Sequence, residues 1–201
     1  MNLSLRILET TLFLTLLGAA PLTAQSAALL VEARGGAAFP VGDFRDGVGP
    51  GEGAAAGPSL QVSVALPSGG WRTLYVGFDQ HRFPCEDAGC GPDGRYVATG
   101  FHGGLRIVPV QGRFTPWLRL GAITTRVETG DLASGPAGAT DAGVSDLGFG
   151  GEVGLGFMVR LGRWVGWSAS GLVSAVSSDL PGGETLDLRY VSAHTGLTFV
   201  F

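Results

Sequence analysis

Lysine is missing from this 201-residue chain, so all 13 basic residues are arginine. The absence removes the phosphate-loop lysine from consideration, and with it Schiff-base chemistry at a lysine amine. Charge of either sign is scarce, at 15% of residues, and a net charge of -4 leaves no basic footprint for nucleic acid. Two cysteines, Cys85 and Cys90, fall short of a four-ligand zinc set, and the three histidines are not clustered along the chain. No metal and no other cofactor is expected. No apolar run reaches the roughly 20 residues that a membrane-spanning helix requires.

Glycine is the residue in excess: 35 copies, more than twice the average usage of about 7%. With 45% hydrophobic residues and a mean hydropathy of +0.29, the chain lacks the low-hydrophobicity, high-charge signature of disorder. Something apolar is being buried.

Arg6 precedes the apolar stretch Thr11 to Ala20, and Pro21-Leu22-Thr23-Ala24-Gln25 follows it. A short apolar stretch after a basic residue and before a small one reads as a secretory signal peptide. Residues 1–24 are assigned to it, with cleavage after Ala24, and residues 25–201 to one domain. Export makes a Cys85–Cys90 disulfide the expected state of the two cysteines, closing a polar, acidic loop.

Beyond the signal, apolar residues recur at every second position, the period of a strand. Leu147, Phe149, Gly151, Val153, Leu155, Phe157, Val159 and Leu161 make one face of such a segment; glycine, Glu152, Met158 and Arg160 make the other. Val191, Ala193, Thr195, Leu197, Phe199 and Phe201 repeat the pattern at the end of the chain. Further strands fall near 29–40, 58–67, 71–82, 95–109, 113–127 and 163–176, which makes eight. All are long enough for the roughly 9 to 11 residues that a tilted strand needs to cross a bilayer.

The connections alternate. Those near 67–70, 111–112 and 162 are minimal, whereas 41–57, 83–94, 128–146 and 177–187 are long. Tight turns at one end and long loops at the other are the signature of a transmembrane barrel. Outside the signal, thirteen of sixteen carboxylates fall in the long connections, while Arg72, Arg113 and Arg163 mark the short ones. Trp71, Trp117, Trp164 and Trp167 all lie near short turns and are expected to form a periplasmic aromatic girdle. Phe39, Phe78, Phe83, Phe101 and Tyr190 are expected to form the opposite one. The fold class is therefore all-β: an eight-stranded antiparallel up-and-down transmembrane β-barrel with an N-terminal signal peptide.

These eight strands, the signal peptide, the opening Arg34-Gly35-Gly36-Ala37-Ala38-Phe39-Pro40-Val41-Gly42-Asp43-Phe44 and the closing Gly196-Leu197-Thr198-Phe199-Val200-Phe201 resemble the small outer-membrane β-barrel proteins, the OmpA-transmembrane-domain-like and OmpX-like group. The resemblance covers the mature chain. It implies residence in the outer membrane of a Gram-negative-type envelope, with lipid and lipopolysaccharide as surroundings and the barrel assembly machinery as a partner in biogenesis. Phe199 and Phe201 would then carry the C-terminal sorting signal. The chain ends at the barrel, so a periplasmic peptidoglycan-binding domain is not implied.

Glu32, Arg34, Asp79, His81, His102, Arg106, Arg119, Glu152, Arg160 and His194 share the inward parity and are expected to form an interior ion-pair and hydrogen-bond network. Inward glycines either make room for the long arginines or leave a water-filled lumen. Ser192, His194 and Glu32 offer a nucleophile, a base and an acid by type, which admits a lipid A-modifying enzyme as a minor reading. The reading preferred from sequence is a monomeric, non-enzymatic envelope protein with a structural or surface-interaction role. A small channel is the alternative.

Overall fold

The computed structural model describes residues 29–46, 53–86, 94–129, 144–179 and 185–201. The expected signal peptide and Cys90, one half of the expected disulfide, lie outside these residues. Eight strands are present: β1 (Leu30–Pro40), β2 (Gly57–Pro67), β3 (Arg72–Pro84), β4 (Arg95–Ile107), β5 (Phe114–Thr129), β6 (Gly148–Arg160), β7 (Val165–Asp179) and β8 (Thr185–Val200). A four-residue helix, α1 (Asp43–Asp46), follows β1. Each strand pairs antiparallel with the next, and β1 pairs with β8 from Leu30↔Val200 to Pro40↔Tyr190. The sheet therefore closes on itself and leaves no edge strand to template aggregation.

The tight turns are built from residues that tolerate them. In the β2–β3 turn, Gly69 and Gly70 have φ of 100° and 58°, a region side chains with a Cβ rarely enter. The Ser68 amide donates to the Arg72 carbonyl there at 3.0 Å.

One connection is shorter than the sequence pattern implies. β7 runs on to Asp179 and β8 starts at Thr185, so the expected long link over 177–187 reduces to residues 180–184. The extra ladder pairs Ser177 with Asp187 and Asp179 with Thr185. Their side chains reinforce it: Ser177 Oγ donates to Asp187 at 2.6 Å and Thr185 Oγ1 to Asp179 at 3.0 Å. Polar residues on the outward face read as loop, although Val176, Leu186 and Leu188 keep the alternation on the inward face.

That reversal is general. Toward the short-turn end the barrel shows apolar side chains to the outside, among them Leu74, Val76, Leu118, Leu120, Val153, Leu155, Val173 and Leu197. At the same level the barrel buries Glu32, Arg34, Arg106, Arg119 and Glu152 inside, with Asp79 farther toward the loops. Toward the long-loop end the polarity inverts: Arg82, Arg95, Arg126, Asp187 and Arg189 point out. There Phe83, Tyr96, Ile123, Val127, Leu186, Leu188 and Tyr190 pack inside as an apolar core. Phe44 of α1 inserts into this core, edge-on to Phe83 and Tyr96 with ring centroids 5.0 and 5.7 Å away. The interior is therefore polar over only part of its length, and Phe83 and Tyr190, expected in an outer girdle, belong to the core because they sit at inward parity. Phe39, Phe78 and Phe101 do face outward.

Candidate functional site: the barrel lumen

The register stacks the inward side chains in layers. In the layer toward the short-turn end, Glu32 is the hub. Its Oε1 accepts from Arg106 Nη1 at 3.0 Å and its Oε2 from Arg106 Nη2 at 2.5 Å, a bidentate pair. The same carboxylate pairs with Arg34 and accepts from Ser63 Oγ at 3.1 Å. A planar guanidinium matches the two carboxylate oxygens, which a lysine amine would not. The neighbouring carboxylate, Glu152, accepts from Arg119 Nη2 at 2.6 Å and from Tyr75 Oη at 2.8 Å. Gln61 Oε1 joins the two groups, accepting from Arg34 at 3.1 Å and Arg119 at 3.3 Å.

Aromatic faces cover the cations. The Trp117 ring lies 4.6 Å from the Arg106 guanidinium and 5.3 Å from that of Arg34, and the Tyr75 ring lies 4.8 Å from that of Arg119. Cation–π attraction strengthens where water is excluded. Trp117 is 3% exposed, so the expectation that it belongs to the periplasmic girdle is corrected: it shares inward parity with Arg119 on β5. Trp71, Trp164 and Trp167 are exposed at the short-turn end.

Glycine makes this aromatic filling possible. A Cβ at Gly156 would fall 2.4 Å from the Trp117 ring, and one at Gly121 would fall 2.1 Å from Tyr75 Oη. The space that glycine creates therefore goes to the aromatic partners of the arginines rather than to an open bore.

A second layer lies toward the loops. His102 Nδ1 is 3.0 Å from Asp79 Oδ2, and His81 Nε2 is 3.8 Å from the same oxygen. The Ser59 hydroxyl bridges His81 Nδ1 at 2.8 Å and His194 Nε2 at 2.6 Å. Ser192 is buried nearby in sequence, yet His194 is engaged by Ser59 and Glu32 by two guanidiniums, so the three residues do not assemble as a triad. Among the described residues, no group of three His, Cys, Asp or Glu is placed to hold a metal.

Arg160 is the other correction. It lies at inward parity but at the last position of β6, where it is exposed and pairs with no carboxylate among the described residues. It lines a cavity of about 230 Å³ at the short-turn end, together with Glu32, Arg106, Trp117 and Met158. Residues not singled out from sequence, among them Ser59, Gln61, Ser63 and Tyr75, join the network. Their alternation on β2 and β3 was the available signal, but neutral polar side chains carry no charge to draw attention.

No family model matches the sequence, and no curated protein matches it. Solved structures do share its fold. Neisserial surface protein A superposes with a TM-score of 0.63 at 15% identity, covering 86% of this chain and 97% of that one. Ail, the attachment invasion locus protein of Yersinia pestis, in complex with the heparin analogue sucrose octasulfate, gives 0.51 at 12% identity, covering 87% and 97%. The fold is that of the small eight-stranded outer-membrane barrels.

Proposed function

We propose that this chain is a non-enzymatic outer-membrane protein whose lumen is filled and whose work is done on its outer wall and loops. The observation that carries the reading is the apolar exterior belt. Soluble monomers rarely expose a contiguous apolar patch beyond a few hundred Å², and here the belt runs over all eight strands. Lipid is the solvent that removes that penalty. Residues 1–24 would direct export, the Cys85–Cys90 bond would close an exterior loop, and Phe199 and Phe201, both exposed, would present the sorting signal to the assembly machinery. Trp71, Trp164 and Trp167 would sit at the periplasmic headgroups, and the chain would act as a monomer.

The lumen supports a structural or surface-interaction role over conduction. An ion entering from the short-turn end meets the paired Glu32 and Arg106, and farther on the apolar core around Phe44 and Phe83. Ion pairs fill the first layer and apolar side chains fill the second, which supports a filled lumen over a channel. Purified protein in a planar bilayer is expected to show no discrete openings, and single-channel steps would overturn the filled-lumen reading in favour of a small channel. Outer-membrane fractions run on SDS gels, boiled against unboiled, are expected to show a heat-dependent shift, since a closed barrel resists detergent until heated. Recovery in the soluble fraction without a shift would reject the membrane reading itself.

A further inference from the structure

We infer that the cavity at the short-turn mouth of the barrel binds a small organic carboxylate, with Arg160 as the residue that recognises the anion. The inference goes beyond the outer-membrane reading and does not depend on it, because the cavity lies inside the wall whatever surrounds the barrel.

Arg160 is the starting point. It shares inward parity with Glu152 and Met158 on β6, yet no carboxylate among the described residues, that of Phe201 included, lies within ion-pair distance of it. The register adds a second cation. Phe114 pairs with Val159, so the next step brings Arg113 opposite Arg160, and the Arg160 amide donates to the Arg113 carbonyl at 2.8 Å. Like charges directly across a ladder repel, and an anion beside them removes that repulsion.

The charge of the whole short-turn half points the same way. Arg34, Arg106, Arg119 and Arg160 stand at inward positions, and Arg72, Arg113 and Arg163 stand at the turns. Against these seven stand Glu32, Glu152 and the Phe201 carboxylate; Asp79 belongs to the histidine layer farther up. Glu32 is the one acid lining the cavity, and Arg34 and Arg106 already share it. The floor of the cavity therefore keeps one positive charge over. Arg106 Nε and Trp117 Nε1, buried there without an acceptor among the described residues, deepen the positive potential that a ligand would meet.

The walls decide what kind of anion fits. Between the Arg160 rim and the ion-paired floor, Val108, Met158 and Val200 line the cavity. An inorganic anion gains nothing from such walls, whereas a carboxylate on a short apolar body uses both the walls and the guanidinium, whose planar fork matches two carboxylate oxygens. At about 230 Å³ the cavity is below the size of a drug-sized site, which limits the ligand to about ten non-hydrogen atoms.

The test titrates benzoate into the folded protein carrying isotope-labelled methionine methyl groups, followed by nuclear magnetic resonance. Met1 and Met158 are the only methionines, so the Met158 methyl reports on the cavity wall. Benzoate is expected to shift that signal saturably. Benzyl alcohol, which keeps the body without the charge, and inorganic sulfate, which keeps charge without the body, are expected to bind at least about tenfold more weakly. Arg160→Gln is expected to weaken benzoate about tenfold with the heat-dependent gel shift intact, and Arg160→Lys to recover part of the loss. Arg113→Gln repeats the test from across the ladder and is expected to weaken benzoate by a smaller factor. Arg72→Gln, whose side chain lies over the Trp71 ring at 5.6 Å, is expected to change nothing. A Met158 signal that benzoate leaves in place, equal binding of benzyl alcohol or sulfate, or an R160Q variant that binds like the parent would each overturn the inference. A parent without the gel shift would defeat the membrane reading and leave this titration to decide the site.

Discussion

The two ends of one barrel are built on opposite plans. Toward the short turns the wall is apolar outside and charged inside; toward the long loops it is charged outside and apolar inside. β5 shows both within one strand: Leu118 and Leu120 face out while Arg119 faces in, and farther along Arg126 and Glu128 face out while Ile123 and Val127 face in. The lower plan suits a solvent of lipid and the upper plan suits water. The difference teaches that a strand's alternation has a sign as well as a period, and that the level where the sign changes is where the lipid would end.

The largest expected effect comes from breaking the charged half at its hub. Glu32→Ala leaves Arg34 and Arg106 without their shared carboxylate and is expected to cost about 3–5 kcal/mol, read by urea unfolding in detergent or vesicles. A loss below about 1 kcal/mol would mean that water reaches the arginines, and the lower half would then resemble a lumen. In the apolar half, Leu188→Ala removes a side chain with no exposure and is expected to cost about 2–4 kcal/mol with no change in the charged layer. An equal effect on both layers would show that the two plans fold as one inseparable unit. Gly156→Ala pushes a methyl group into the Trp117 ring and is expected to cost about 1–3 kcal/mol, with a shift in Trp117 fluorescence. Unchanged fluorescence would mean that Trp117 does not fill that space. The smallest effect is expected at Arg160, whose replacement by alanine should stay within about 0.5 kcal/mol. A larger loss would return it to the network.

Much of the architecture was legible because two signals agree in sequence: the period of two, and the alternation of minimal with long connections. The strands flanking Gly69-Gly70 and Gly162 could be bounded closely for that reason. The β7–β8 connection could not, since Asp179, Thr185 and Asp187 look like loop residues until their hydrogen bonds are seen. Trp117 shows the same limit from another side. Its nearness to a short turn suggested a girdle, whereas its parity with Arg119 placed it inside, and parity governs because a one-residue change of face is not available within a continuous ladder.

By itself the sequence determined that the chain is a strand-built protein with a lysine-free, acidic surface and an inward set of charges, since periodicity and composition are local properties. Which inward charges meet, which glycines admit Tyr75 and Trp117, and where the wall changes sign were decided by the tertiary structure. Those depend on register around a closed ring, and register is fixed only when β1 meets β8.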